Sequence, residues 1–157
     1  MNTTQNTTID QTSKSMLQER MLAVQCCYAF TIREMNFCDL NKTILDFLDY
    51  QNSQFNKNPI DKDYFKNLVK NSLEFLPTLD QKISDYLTED WALNRLPKAI
   101  LAILRIGCYE IYYSSKKDIP IVINDFLKIS NLLNHKGEIG FINSILDKVA
   151  KKENSSN

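Results

Sequence analysis

The sequence predicts an all-helical protein, a compact bundle of about seven helices. Its 157 residues contain only three glycines and four prolines, the two residue types that helices tolerate least. Apolar residues recur at the i, i+3, i+4, i+7 spacing through most of the chain. The one short apolar run that resembles a strand, residues 119–123, contains a proline and continues as a helical pattern. A chain of this length suits one domain with a single core.

The stretch 91–113, WALNRLPKAILAILRIGCYEIYY, is predicted to contain the central helix. Pro97 stands where a proline is tolerated at a helix start, and the residues after it are apolar nearly all round, which is typical of the middle of a bundle. Arg105 is one of its few polar residues. A buried guanidinium costs several kcal/mol unless it is paired. We therefore expect a carboxylate of a following helix, Asp125 or Asp147, to pair with Arg105.

Two helices are predicted before residue 60. Ser15 and Gln18 form a capping-box pattern, which predicts a first helix that runs to about Arg33. Residues 36–39 are predicted as a loop before the second helix. The polar segment 51–59 shows no apolar periodicity and is predicted as the next loop.

The third and fourth helices are predicted from their boundary residues. Asp61 is expected to cap the third helix, and Pro77 to end it. Thr78 and Gln81 form a second capping-box pattern, which predicts the start of the fourth helix.

The remaining helices follow the central one. Pro120 is expected to open the sixth helix, and residues 134–137 to form a turn before the last. Gly107, inside the central helix, is expected to allow close approach of another helix.

Composition also predicts the domain limits and the cellular compartment. Residues 1–12 are rich in Asn, Thr and Gln and are expected to be disordered, as is the tail 151–157, so the helical domain is placed at 13–150. No run of ~18 apolar residues exists, so no membrane span is expected. The N-terminus lacks the apolar core of a signal peptide, which predicts a cytoplasmic protein.

No pattern of residues predicts catalysis. Cys26, Cys27, Cys38 and Cys108 lack metal-binding spacing and are interpreted as reduced, buried thiols. His135 is the only histidine, and no glycine-rich phosphate loop exists. We therefore expect no metal, no cofactor and no enzymatic activity. The formal net charge is zero, which argues against strong, non-specific binding of phosphates.

Four motifs occur in an order that resembles the NusB transcription antitermination factors. They are W-x-x-x-R at 91–95, I-L-R-I-x-x-Y-E at 103–110, D-I-P-I-V-I-N-D at 118–125 and F-I-N-S-I-L-D at 141–147. R-M-L-A-V-Q-C-C-Y at 20–28 looks like the first helix of that family. The resemblance implies two small helical sub-bundles, divided near residues 77–90.

The resemblance also implies a function. Members of the NusB family bind boxA, a short single-stranded RNA element of nascent ribosomal transcripts, together with the ribosomal protein NusE. The RNA polymerase antitermination complex that results resists termination. Oligomeric state stays open, since some members form homodimers through the face otherwise used for binding.

The family's motifs assign candidate contacts to this chain. The residues expected to contact RNA are Lys14, Arg20, Tyr28, Asn143 and Asp147. Tyr28 and Glu110 are expected to contact NusE. The family's first helix begins with several arginines, whereas here only Lys14 and Arg20 are basic. An alternative is therefore a helical protein-interaction module that keeps the ribosomal-protein surface and has weak or no RNA binding.

Overall fold

The computed structural model describes residues 16–54, 59–113 and 118–155. Over these ranges it contains seven α-helices, three short 3-10 turns and no strand, so the all-helical prediction is confirmed. The helices are α1 Leu17–Ile32, α2 Phe37–Gln54, α3 Lys62–Glu74, α4 Leu76–Ser84, α5 Lys98–Tyr113, α6 Ile119–Leu132 and α7 Ile139–Ser155. The 3-10 turns are Glu89–Trp91, Leu93–Arg95 and Lys136–Glu138.

The helices form two groups, α1 to α3 and α4 to α7, which meet mainly where α1 packs along α5. As the sequence predicts, α5 is central: it packs against α1, α3, α4, α6 and α7, and every residue from Ile100 to Cys108 is buried. One continuous apolar core extends through both groups, with Phe65 of α3 and Phe126 of α6 among its largest side chains. The two sub-bundles are therefore joined by a shared core around α5.

Gly107 allows α6 and α7 to approach α5, as predicted. A Cβ atom at this position would lie 3.0 Å from Leu146 Cδ2 and 3.5 Å from Phe126 Cδ2. Any side chain larger than hydrogen would therefore need Leu146 to move.

Side-chain caps explain where two helices begin. Asp61 caps α3 as predicted, and its carboxylate accepts a hydrogen bond from the backbone N–H of Tyr64 at 3.0 Å. Asp118 caps α6 by accepting from the N–H of Ile121 at 3.4 Å, and Pro120 lies in the first turn. Pro120 was predicted from the sequence, whereas the cap at Asp118 was not.

The capping box predicted at Thr78 is wrong. α4 begins earlier, at Leu76, and Pro77 lies within its first turn rather than ending α3. Thr78 therefore lies within α4 rather than at its N-cap position. The Gln81 amide donates instead to Asp85 Oδ1 at 3.2 Å, an i, i+4 contact.

Several predicted boundaries also need correction. α2 extends from Phe37 to Gln54. It therefore includes most of the predicted loop 36–39 and the first part of the predicted loop 51–59. α7 continues to Ser155, so most of the predicted tail 151–157 is helical. Ser15 of the first capping box and the tail 1–12 lie outside the described residues.

Arg105 is paired as predicted, but with a different carboxylate. Its Nε and Nη2 atoms donate to Asp80 of α4, each at 2.8 Å, and Nη1 donates to the Thr31 hydroxyl at 3.2 Å. The expected partners are used elsewhere: Asp125 pairs with Arg20 and Asp147 with Lys151. Asp80 was overlooked because helical spacing gives no information on which helices become neighbours.

The cysteines are free thiols, as predicted, and burial separates them into two kinds. Cys26, Cys27 and Cys108 are buried, whereas Cys38 is exposed and departs from the prediction. Burial raises the pKa of Cys26 and of Cys108 to about 12. Among the described residues, no helix is both long enough and apolar enough to cross a membrane.

We expect Arg105→Ala to lower the free energy of unfolding by about 3 kcal/mol, because it leaves the Asp80 carboxylate without its cation. Denaturant melts of Arg105→Ala, Asp80→Ala and the double variant would measure the coupling between the two side chains. Single-variant losses that simply add in the double variant would contradict a direct interaction.

Candidate nucleic-acid and partner interface

Arg20 lies at the centre of a buried polar cluster that joins four helices. Its Nε and Nη2 atoms donate to the two carboxylate oxygens of Glu110 on α5, at 2.6 and 2.9 Å. Nη1 donates to Asp125 of α6 at 2.7 Å, and Nη2 also donates to the Tyr64 hydroxyl of α3 at 3.1 Å. We call Arg20, Tyr64, Glu110 and Asp125 the Arg20 cluster.

Burial and neighbouring charges shift the pKa values of groups in the Arg20 cluster. Burial by itself lowers the pKa of the Arg20 guanidinium, but the hydrogen bond and charge of Glu110, together with Tyr64 and Asp125, outweigh it and leave that pKa above its usual value. Burial, and then the negative charge of Glu110, raise the pKa of Tyr64 as well. Arg20 is therefore a permanent cation, and its charge is neutralised by carboxylates inside the protein.

The burial of Arg20 and Glu110 argues against two expectations. Arg20 was expected to contact RNA and Glu110 to contact NusE, but the Arg20 side chain is 6% exposed and that of Glu110 is 1% exposed. Both groups point inward. The sequence contained a signal for this, because Glu110 is the one carboxylate on a helix that is apolar nearly all round.

Tyr28, by contrast, is on the surface. It is 40% exposed and lines a groove of about 870 Å³ that is formed by α1, α2 and the end of α6. Arg33 supplies positive charge to the groove, and Gln18 and Gln25 supply amides. The apolar side chains that line it are Leu17, Met21, Leu22, Ala29, Ile32, Phe47 and Leu132. A groove that is mainly apolar with a few polar groups is suited to binding another molecule.

The other predicted contacts are divided between α7 and the undescribed N-terminus. Asn143 is exposed, and Asp147 is half-exposed with its carboxylate 3.0 Å from Lys151 Nζ. Because Asn143 and Asp147 are four residues apart in one helix, they share a face. Lys14 lies outside the described residues.

Two features of the groove and of the Arg20 cluster were not predicted from the sequence. Arg33 was noted only as a helix end, yet it lines the same groove as Tyr28. Asp125, expected to pair with Arg105, instead completes the Arg20 cluster. Within the described ranges, no group of three or more His, Cys, Asp or Glu side chains is placed to hold a metal ion.

The fold defines a class: small all-helical proteins made of two joined sub-bundles, here with a largely apolar groove along the first helix. The chain belongs to the NusB family, whose model matches residues 17–151. The predicted family is thus confirmed.

Individual relatives agree with this assignment. The transcription antitermination protein NusB of Rickettsia akari is 33% identical over 141 residues, covering 86% of this chain and 90% of that protein. The structure of T. maritima NusB is 25% identical with a TM-score of 0.72, and the match covers 88% of this chain and 92% of that one. A crystal structure of NusB and NusE in complex with double-stranded RNA matches with a TM-score of 0.75 at 20% identity, covering 87% and 96%.

Breaking the Arg20 cluster should destabilise the fold rather than only affect binding. Glu110→Gln removes a buried negative charge opposite Arg20, and we expect a loss of about 3 kcal/mol in the free energy of unfolding. Asp147→Asn is the matched control, since its exposed pair with Lys151 should contribute less than about 1 kcal/mol. Equal thermal melts for the two variants would show that the cluster is not a stabilising element.

Proposed function

We propose that this protein is a transcription antitermination factor that binds boxA-type single-stranded RNA together with NusE, so that RNA polymerase resists termination. Membership of the NusB family supports this, as do relatives that are themselves antitermination proteins. The proposed activity is binding without catalysis. The structural observation that carries the proposal is the exposed Tyr28 in an apolar groove along α1.

The groove is proposed as the NusE surface. Interfaces between proteins have apolar centres in which aromatic side chains and arginines contribute most of the binding energy. The groove has this composition, with Tyr28 and Arg33 among the residues that line it and Ile32 and Leu132 each at least half exposed. Light scattering of the free chain would measure whether two copies pair in a homodimer.

The proposed RNA contacts depend on fewer cations than the sequence suggested. Arg20 is buried and paired, so it is not proposed as an RNA contact. The α7 lysines Lys148, Lys151 and Lys152 are exposed, and they share that helix with Asn143. With zero net charge, the chain alone should make few phosphate contacts. We therefore propose that NusE supplies much of the positive charge.

One observation favours the alternative of a protein-interaction module. Arg20 is the one basic residue of α1 inside the helix range Leu17–Ile32, and the Arg20 cluster uses its charge internally. If the undescribed Lys14 adds little, the first helix has no cation for RNA. The module would then keep the groove and bind NusE alone.

A filter-binding titration with a boxA RNA separates these functions. We expect weak binding by the isolated chain, with an affinity that changes little with salt, and markedly tighter binding when NusE is present. A scrambled RNA of equal length is the control. Failure to bind RNA even with NusE would favour the protein-only module, and steep salt dependence of the isolated chain would contradict the few-contact proposal.

Tyr28→Ala should weaken NusE binding, because it removes an exposed ring from the lining of the groove. A loss of about tenfold corresponds to a moderate interface residue. The matched control is Tyr113→Ala, since Tyr113 is also 40% exposed but does not line the groove. Calorimetric titration with NusE would measure both variants, and equal affinities would exclude the groove as the NusE surface.

A further inference from the structure

The last turn of α1 carries one end of the groove. Tyr28, Ile32 and Arg33 all line the groove, and they lie in this part of the helix or at its C-cap. All three side chains are exposed. The path of the backbone, rather than burial of these side chains, therefore decides where they are presented to a partner.

The backbone at the end of α1 has a conformation that its own residues do not favour. The N–H of Met35 donates to the carbonyl of Phe30 at 3.2 Å, and the N–H of Glu34 donates to the carbonyl of Thr31 at 3.4 Å. Helix ends with this pattern usually have glycine at their left-handed position. Here that position is Glu34, with φ of 50°, which residues with a side chain rarely adopt. Such a conformation persists only where surrounding contacts hold it.

Hydrogen bonds that start on α4 reach the same turn of α1. Asp80 accepts from Nε and Nη2 of Arg105, each at 2.8 Å, and Nη1 of Arg105 donates to the Thr31 hydroxyl at 3.2 Å. That hydroxyl donates in turn to the carbonyl of Cys27 at 2.9 Å, one turn earlier in α1. Arg105 is buried and its guanidinium is held by both oxygens of one carboxylate, so its position is well fixed. Thr31 is consequently tied to a rigid point of the second sub-bundle.

We propose that Thr31 is a positioning residue for the groove, whose hydrogen bond from Arg105 holds the last turn of α1 in the arrangement that NusE binds. Thr31 lies three residues after Tyr28 and directly before Ile32, so a shift of the backbone at Thr31 moves both of these side chains. A surface that is already ordered binds more tightly, because its side chains lose less freedom when the partner docks. The inference rests on the proposed function of the groove as the NusE surface.

Thr31→Val tests this role, because valine keeps the shape of the side chain and removes the hydroxyl. We expect calorimetric titration of the full chain with NusE to show an affinity about fivefold lower, since one hydrogen bond contributes at most about a factor of ten. Thr31→Ser keeps the hydroxyl and should bind NusE as the unchanged chain does. Ser72→Ala is the matched control: the Ser72 hydroxyl also donates to a carbonyl four residues earlier, but it lies on α3 and does not line the groove.

Hydrogen exchange separates positioning from general stability. The backbone N–H groups of Arg33 and Met35 close the last turn of α1, and they should exchange faster in Thr31→Val than in Ser72→Ala, while the amides of α5 exchange equally in both. Unaltered NusE affinity in Thr31→Val would overturn the inference and leave the proposed function intact. A loss of affinity that Thr31→Ser or Ser72→Ala shares would attribute the effect to packing or stability, and would also overturn it. Absence of NusE binding by the unchanged chain would overturn both the inference and the proposed function.

Discussion

The ion pairs of Arg20 fix how the two halves of this protein fit together. The guanidinium on α1 is held by Glu110 of α5 and Asp125 of α6, so a residue of the first sub-bundle is bound by two helices of the second. Tyr64 of α3 completes the cluster from the first half. Apolar packing tolerates small sliding of helices, but a buried guanidinium with a bidentate carboxylate does not. The relative position of α1 and α5 follows from this constraint.

Arg105 provides a second polar link between α1 and α5. It extends from α5 to Asp80 of α4, and its third hydrogen bond reaches Thr31 near the end of α1. The two arginines thus connect α1 to α5 near opposite ends of α1. With Arg20 and Thr31 fixed, the face of α1 that carries Tyr28 is held toward the groove, so the interior ion pairs determine which side chains are presented outside.

The sequence was sufficient for the fold class, the central helix, the cap at Asp61 and the family. These depend on local periodicity and on motif order, which one chain contains in full. It was not sufficient for the partners of Arg105 or the burial of Glu110, because a pattern of spacing shows that a side chain faces other helices but not which ones.

The unequal burial of the cysteines has a practical consequence for labelling this protein. Cys38 is exposed on α2, whereas Cys26, Cys27 and Cys108 are enclosed in the core with their thiols strongly shielded. A maleimide dye should therefore attach to α2 alone, on the helix that forms one wall of the groove. The same chemistry reports on internal motion, because attachment at the three enclosed thiols requires the sub-bundles to separate locally. The rate of that slower attachment would measure how often the shared core opens.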